Sequence, residues 1–355
     1  MKGPTKAART SIPKLLREAR NDRVGDAPAP RVSVVIPTYN RAALVTRAIE
    51  SVLAQTYGDL ELIVVDDASS DTTPDAVVRF DDRRLRYVLL PKNGGQWHAE
   101  NVGIARARGE WVAFLDDDDE YVPDKLEQQL ARAERAADPR VSVVYCRPQA
   151  IDKDGPRQPV DKPTPEGDVT KYLLTATLWV TPTLYMAKRS ALIDAGGFDE
   201  SLAGAQDWDL WLRLSMAGHH FVALRDRLAI YHRDHDERQT NDSIRTVRST
   251  FVLERRWGAL MRDAMGPEPY ETWAARRDKR SRKAIDKLVR EIERAGSRSE
   301  AWRYVSRMAP VLPWGARFFA RALAVVAFGR LPHRISRVRQ GKAGAPWLRR
   351  LFGAG

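Results

Sequence analysis

Three short β-branched runs, each halted by a cluster of polar side chains, constrain this chain more than any other feature. Val32–Ile36 (VSVVI) ends at Pro37 and is followed by Thr38-Tyr39-Asn40. Leu60–Val65 (LELIVV) stops at Asp66-Asp67, and Trp111–Leu115 (WVAFL) stops at four consecutive aspartates, Asp116–Asp119. Apolar runs of this length suit strands buried on both faces. Between them lie segments of helical periodicity: Ala42–Gln55 with Leu44, Ala48, Ile49, Val52 and Leu53 in a stripe, Gln96–Ala107 after Asn93-Gly94-Gly95, and Pro123–Arg135. Arg86–Leu90 and Val141–Cys146 add two further strands. Strands alternating with helices predict an α/β fold, a mainly parallel central sheet with helices on both faces. Ligands bind such sheets beyond the carboxyl ends of the strands, where the three polar clusters would collect.

Four adjacent carboxylates repel one another and favour protonation unless a cation gathers them. If the extended geometry continues past Leu115, Asp116 and Asp118 point one way and Asp117 and Asp119 the other. A pair of carboxylates two residues apart can hold a hard divalent cation and leave positions open for phosphates. The plainer alternative is an acidic, solvated turn capping the next helix, and the convergence of three polar strand ends argues against it.

Ile151–Gly167, rich in Pro, Asp and Lys, reads as a surface loop, and Lys171–Met186 as apolar and β-prone. In the following GGFDESLAGAQDWDLWLRL, Asp207, Leu210, Trp211 and Leu214 fall on helical spacing. Asp207 or Asp209 alone would pass for a helix cap or a charge favoured by the helix dipole.

Five pieces in order, VSVVIPTYNR (32–41), LIVVDDASSDTT (62–73), NGG with AENVGIARARGEWVAFLDDDD (93–119), GGFDESL (196–202) and QDWDLWLRL (206–214), resemble a family 2 glycosyltransferase of the GT-A, Rossmann-like fold. The resemblance spans about Val32 to His235. It implies that Pro37, Thr38, Asn40 and Asn93 lie beside the nucleotide and that Asp67 accepts a hydrogen bond from the base. It also implies that Asp116 and Asp118 form the metal-binding DxD pair for Mg2+ or Mn2+, with Asp118 the direct ligand, and that Asp117 contacts ribose or sugar. Asp207 matches the general base, and His235 a metal- or phosphate-contacting histidine, with His232 its rival. The implied reaction is one in-line displacement with inversion, from a nucleoside-diphosphate sugar (a UDP-sugar foremost) to a hydroxyl of a glycan or lipid-linked acceptor. Two departures stand out. Relatives carry A-R-N where this chain has Ala99-Glu100-Asn101, so His98, Lys92 or Arg106 would have to supply the lost positive charge, or phosphate binding would rest more on the metal. The base motif reads Gln206-Asp207 in place of Glu-Asp. Arg255-Arg256-Trp257 lacks the glutamine of Q-x-x-R-W, which argues against a processive polymer synthase. A nucleotidyltransferase of similar architecture would carry a glycine-rich basic loop after the first strand, and TYNRAALV is not one. A degenerate, non-catalytic nucleotide-sugar binder is the remaining alternative.

Charge is unevenly spread. The net charge is +12, and the eleven Lys and Arg after Ala301, with no Asp or Glu, carry nearly all of it. A basic patch confined to a tail suggests an anionic surface as partner. Val311–Leu331 has the length of a membrane span, but Arg317 and Arg321 in its middle oppose spanning and share one helical side. With Trp314, Phe318 and Phe319 it fits a helix lying in a membrane interface, or one packed on protein. Ser281–Arg294 reads as a charged amphipathic helix. No nucleic-acid module is recognisable, so nucleic acid is not expected as a partner. A single cysteine, Cys146, excludes an internal disulfide framework, and residues 1–31 lack the apolar core of a secretory signal. The expected organisation is a flexible basic arm (1–30), a catalytic domain (31–243) and a mostly α-helical region (244–355) whose segment 309–355 associates with a membrane. The expected location is the cytoplasm, peripheral on the inner face of the cell membrane.

Overall fold

The computed structural model describes residues 12–21, 29–157, 161–175, 178–202, 204–233 and 243–275. His235, Ser281–Arg294 and Val311–Leu331 lie outside the described residues.

The four strands anticipated in the first half form a parallel group. β1 (Val32–Thr38), β2 (Leu60–Asp66), β3 (Leu85–Leu89) and β4 (Trp111–Phe114) lie in the order β3-β2-β1-β4. All three pairings are parallel. Every residue of β1, β2 and β4 is buried, because helices cover both faces. One face packs on α2 (Ala42–Leu53) through Val45, Ala48, Ile49 and Val52. The other packs on α4 (Gln96–Arg106), which approaches closely because Gly103 has no side chain. A Cβ at Gly103 would stand 2.2 Å from Val35 Cγ1. α3 (Thr73–Val78) follows β2, its start held by Asp71 Oδ1 accepting from Thr73 N at 2.9 Å. Ile12–Asn21, expected within a flexible arm, is helix α1, which buries Ile12, Leu16 and Ala19 and packs against α4.

The second half of the sheet is mixed. β8 (Tyr185–Lys188) inserts antiparallel between β4 and β6 (Val141–Asp152), and β9 (His220–His232) runs parallel to β6. β5 (Glu120–Tyr121) closes the edge antiparallel to β9. β6 extends six residues past the expected strand and turns back through β7 (Gly155–Pro156), so part of the expected surface loop is hairpin. Lys171–Met186 is mostly not strand. It forms α6 (Thr170–Leu174), then a 3-10 turn at Pro182–Leu184, before entering β8. Its Leu173 and Leu174 are buried where α6 packs on α8 (Gln206–Met216), and this packing overrides their β propensity. Two further helices, α5 (Lys125–Glu134) and α7 (Arg189–Asp194), complete this half.

α8 buries Trp208, Leu210, Trp211, Leu212 and Leu214, and Trp211 stacks on Tyr185, which stacks on Tyr145, with ring centroids 4.3 and 5.4 Å apart. The sheet belongs to a compact unit of residues 1–241 and 253–271. Within it, Trp257 Nε1, on the later part of α9 (Ser243–Met265), donates to the fully buried Asp209 at 2.9 Å, and Arg213 Nε reaches the other oxygen at 2.8 Å. Among the described residues no helix is long and apolar enough to cross a membrane.

Candidate active site

β4 ends at Phe114, and the chain then turns, with Asp119 N donating to Asp116 O at 3.0 Å. That turn breaks the strand alternation expected for the aspartates. Asp116, Asp118 and Asp119 come together, with one carboxylate oxygen of each within 4.8 Å of the others. Asp117 points elsewhere, accepting from Thr38 Oγ1 and Arg41 Nη1, each at 2.8 Å. The cluster is therefore Asp116-Asp118-Asp119 rather than the pair Asp116-Asp118, and Asp119 is the member that strand periodicity assigned to the opposite side.

Neighbouring elements aim these carboxylates. Gln96 Nε2, on the first turn of α4, donates to Asp116 Oδ1 at 2.8 Å, and Thr181 Oγ1 donates to the other oxygen at 3.2 Å. Thr183 Oγ1 donates to Asp119 at 3.0 Å, and the backbone N of His232 at 3.2 Å. Burial, reinforced by Asp118 and Asp117, lifts the Asp116 pKa to about 7. Burial lifts Asp117 to about 6 against the opposing pull of Arg41. Asp119 is pushed well above the carboxylate range by burial and then by Asp116 and Asp118. Carboxylates held this close at such cost suit a hard divalent cation, which would supply the missing positive charge.

The β1 and β2 ends form one platform. Asn40, at φ 52°, accepts from Ser70 N at 2.7 Å through its side chain and donates its own N–H to Ser69 Oγ at 2.9 Å. Pro37 lies within β1 opposite Val65. Asp67 accepts from Gly94 N and Gly95 N, each at 2.7 Å, so it holds the glycine loop with both carboxylate oxygens. Gly95 sits at φ 91°, which its missing side chain permits. Asn93 is exposed beside this loop. Ala68 and Ala205 also adopt left-handed backbone, at φ 66° and 59°. Such strain at non-glycine residues concentrates at functional loops, and here it marks the turns after β2 and before α8.

Asp207 is the second residue of α8, half-buried, with Oδ1 accepting from Trp208 N at 2.7 Å. Its charge helps to raise the pKa of both Asp116 and Tyr185. Gln206 is buried and turned back to the Leu202 carbonyl, away from the role of a second acid. Glu100 is fully buried, with neither carboxylate oxygen hydrogen-bonded among the described residues. Burial, then the neighbouring Asp116, raises its pKa well above the usual value.

Sequence reasoning missed Arg41. It ion-pairs with Asp117 at 2.8 Å and Asp118 at 3.4 Å, bringing into the site the kind of positive charge sought from His98, Lys92 or Arg106. His98 is engaged by Glu200 at 3.2 Å. Its place in the TYNR string was the available signal for Arg41. Gln96, Thr181 and Thr183 carried none, because only folding brings them to the aspartates. His232 does reach the cluster through its backbone, while its ring Nε2 meets Glu120 Oε1 at 2.6 Å.

The model of the Glycosyl transferase family 2 matches residues 33–195. An uncharacterized glycosyltransferase of Rickettsia typhi is 32% identical over 244 residues, 66% of this chain and 72% of the relative. The amylovoran biosynthesis glycosyltransferase AmsB of Erwinia amylovora is 32% identical over 209 residues, 56% of this chain and 69% of the relative. The crystal structure of S. aureus TarS 1-349 in complex with UDP-GlcNAc shares the fold, with a TM-score of 0.54 and 17% identity over 89% of this chain and 93% of that one.

Proposed function

The chain belongs to glycosyl transferase family 2, and from that premise we propose that it transfers a sugar, with inversion, from a UDP-sugar to a hydroxyl of a glycan or lipid-linked acceptor. The observation that carries this reading is the placement of Asp207 at the head of α8, within electrostatic reach of the Asp116-Asp118-Asp119 cluster at the end of β4. One acidic centre suits the diphosphate end of a donor, and a separate single carboxylate suits proton removal.

In this reading Asp67, with the loop it holds, and the Pro37–Asn40 turn receive the nucleoside. Asp116, Asp118 and Asp119 would hold Mg2+ or Mn2+, which would supply positive charge for the diphosphate of the donor. His235 stays a candidate contact from outside the described residues. Arg41 keeps Asp117 aligned and adds positive charge beside Asp118. Asp207 takes the proton of the acceptor hydroxyl as the anomeric carbon is attacked. Support for a UDP-sugar comes from the fold shared with a UDP-GlcNAc complex, and support for a glycan acceptor from the amylovoran relative. Residues 31–243 are the catalytic domain in this proposal. Of the region 244–355, residues 276–355 lie outside the described residues, and in this proposal the basic segment 309–355 would hold the enzyme on the inner membrane face.

Glu100 favours a second reading, a nucleotide-sugar binder without turnover, because a buried acid stands where relatives carry arginine. Incubation with a panel of nucleotide sugars and Mn2+ separates the two. The enzyme reading expects release of nucleoside diphosphate from one donor, lost in Asp207→Asn while nucleotide binding persists. Binding without turnover of any donor would establish the second reading, and full activity in Asp207→Asn would overturn the role of Asp207.

A further inference from the structure

Tyr185, the member of the aromatic stack that feels the charge of Asp207, is linked to a cationic cluster that the donor chemistry does not use. The Tyr185 hydroxyl donates to the Trp179 carbonyl. Lys162 Nζ stands 4.3 Å from the Trp179 ring centroid and donates to Leu178 O at 3.1 Å. Arg147 Nη2 reaches the Lys162 carbonyl at 3.5 Å. Arg147 pairs with Arg227 across β6 and β9, and the two guanidiniums converge on the same atom, Asp161 Oδ1, at 3.1 and 2.7 Å.

Two cations thus face one carboxylate, and that carboxylate is the most exposed member, its side chain 67% accessible against 18% for Arg147 and 25% for Arg227. The arginines are fixed more firmly than the group they bind: Arg227 Nη1 also donates to Pro148 O at 3.1 Å. Arg147 Nε is buried with no hydrogen-bond partner among the described residues. An ion pair with an exposed partner contributes little and is readily exchanged. Two guanidinium forks match a phosphate, with its several acceptor oxygens and greater charge, better than one oxygen of an aspartate. The partly exposed Trp179 ring next to them offers a face for a sugar.

We propose that Arg147 and Arg227, beside Lys162 and Trp179, form an acceptor-side subsite for the phosphate group of a phosphate-bearing saccharide, with Asp161 occupying it as an internal stand-in until that phosphate displaces it. The proposal rests on Asp207 being the base, which fixes the acceptor side of the site. A purely structural clamp on the β6–α6 connection would use the same contacts, but it makes the opposite prediction for Asp161.

The test titrates the full chain in EDTA with glucose 1-phosphate, glucose and inorganic phosphate by calorimetry, with anionic phospholipid vesicles as a separate arm. Glucose 1-phosphate is expected to bind about tenfold more tightly than inorganic phosphate, since the ring adds contact at Trp179, and free glucose not measurably. Arg147→Ala and Arg227→Ala should each weaken it by about tenfold or more, the worth of a charged hydrogen bond, whereas Asp161→Ala should tighten it several-fold. UDP binding in the presence of Mn2+ should be unchanged in all three variants and reports their folding. Unchanged or weaker binding in Asp161→Ala overturns the proposal, even if an arginine variant fails to fold. So does equal affinity for inorganic phosphate, or arginine-dependent binding to vesicles without binding of the sugar phosphate. Failure of the wild type to bind UDP would instead count against the donor reading and leave the anion result standing.

Discussion

Raising the pH in the absence of a divalent cation should destabilise this protein, and Asp116 should account for much of the loss. The folded state keeps the Asp116 proton up to a pKa of about 7, against an ordinary value of 3.8. Between those values the folded state binds more protons than the unfolded chain, so stability falls as pH rises through that window and then levels off. The pKa difference corresponds to roughly 4 kcal/mol at pH 8. Asp116 keeps some contact with solvent, and screening brings the expected loss to about 2–4 kcal/mol. Asp117, lifted to about 6, adds to the slope at the lower end of the window. Asp116→Asn should flatten the profile. A cation bound by the cluster should restore stability at pH 8, by about 2.7 kcal/mol at a hundred times its Kd, and by less at pH 5, where protons compete. Urea denaturation at pH 5, 6.5 and 8, with EDTA or Mn2+, measures all three quantities. A flat profile in the wild type, an equally steep one in Asp116→Asn, or a cation effect as large at pH 5 as at pH 8 would refute the reasoning.

Asp118→Ala should abolish metal-dependent binding of UDP, and EDTA should do the same to the wild type, because the diphosphate then meets unneutralised carboxylates; calorimetry with UDP and Mn2+ reads both. Asp67→Ala should weaken UDP by about ten- to a hundred-fold, the value of a charged hydrogen bond. It should also speed amide exchange at Gly94 and Gly95, whose N–H groups Asp67 holds; unchanged affinity would leave Asp67 only its loop-holding task. Truncation near Met308 should release the protein from anionic liposomes in co-sedimentation without altering UDP binding. Each basic residue at such a surface contributes about 1 kcal/mol that salt screens, so high salt alone should release the full chain only partly.

The parallel half of the sheet was legible because its signal is local. Val32–Ile36, Leu60–Val65 and Trp111–Leu115 are apolar throughout, as strands covered on both faces must be, and the polar stops mark their carboxyl ends. The same locality exposed Asp67 and Asp116–Asp119 as candidates, since each interrupts an apolar element, whereas Asp207 was singled out by the family resemblance. Lys171–Met186 misled because β-prone residues serve equally well as packing surface, and only the proximity of α8 determines that Leu173 and Leu174 are helical.

What the tertiary structure decided is which side chains meet. Sequence periodicity paired Asp116 with Asp118, and a single turn hydrogen bond recruited Asp119 and sent Asp117 to Thr38 and Arg41. Arg147 and Arg227, 80 residues apart in the chain, become neighbours only through the pairing of β6 with β9. Gln96, Thr181 and Thr183 acquire their contacts with the aspartates in the same way. Burial and repulsion depend on such long-range neighbours, so the raised pKa values of Glu100 and Asp116 were set by the fold, while the presence of an acidic strand end was set by the sequence.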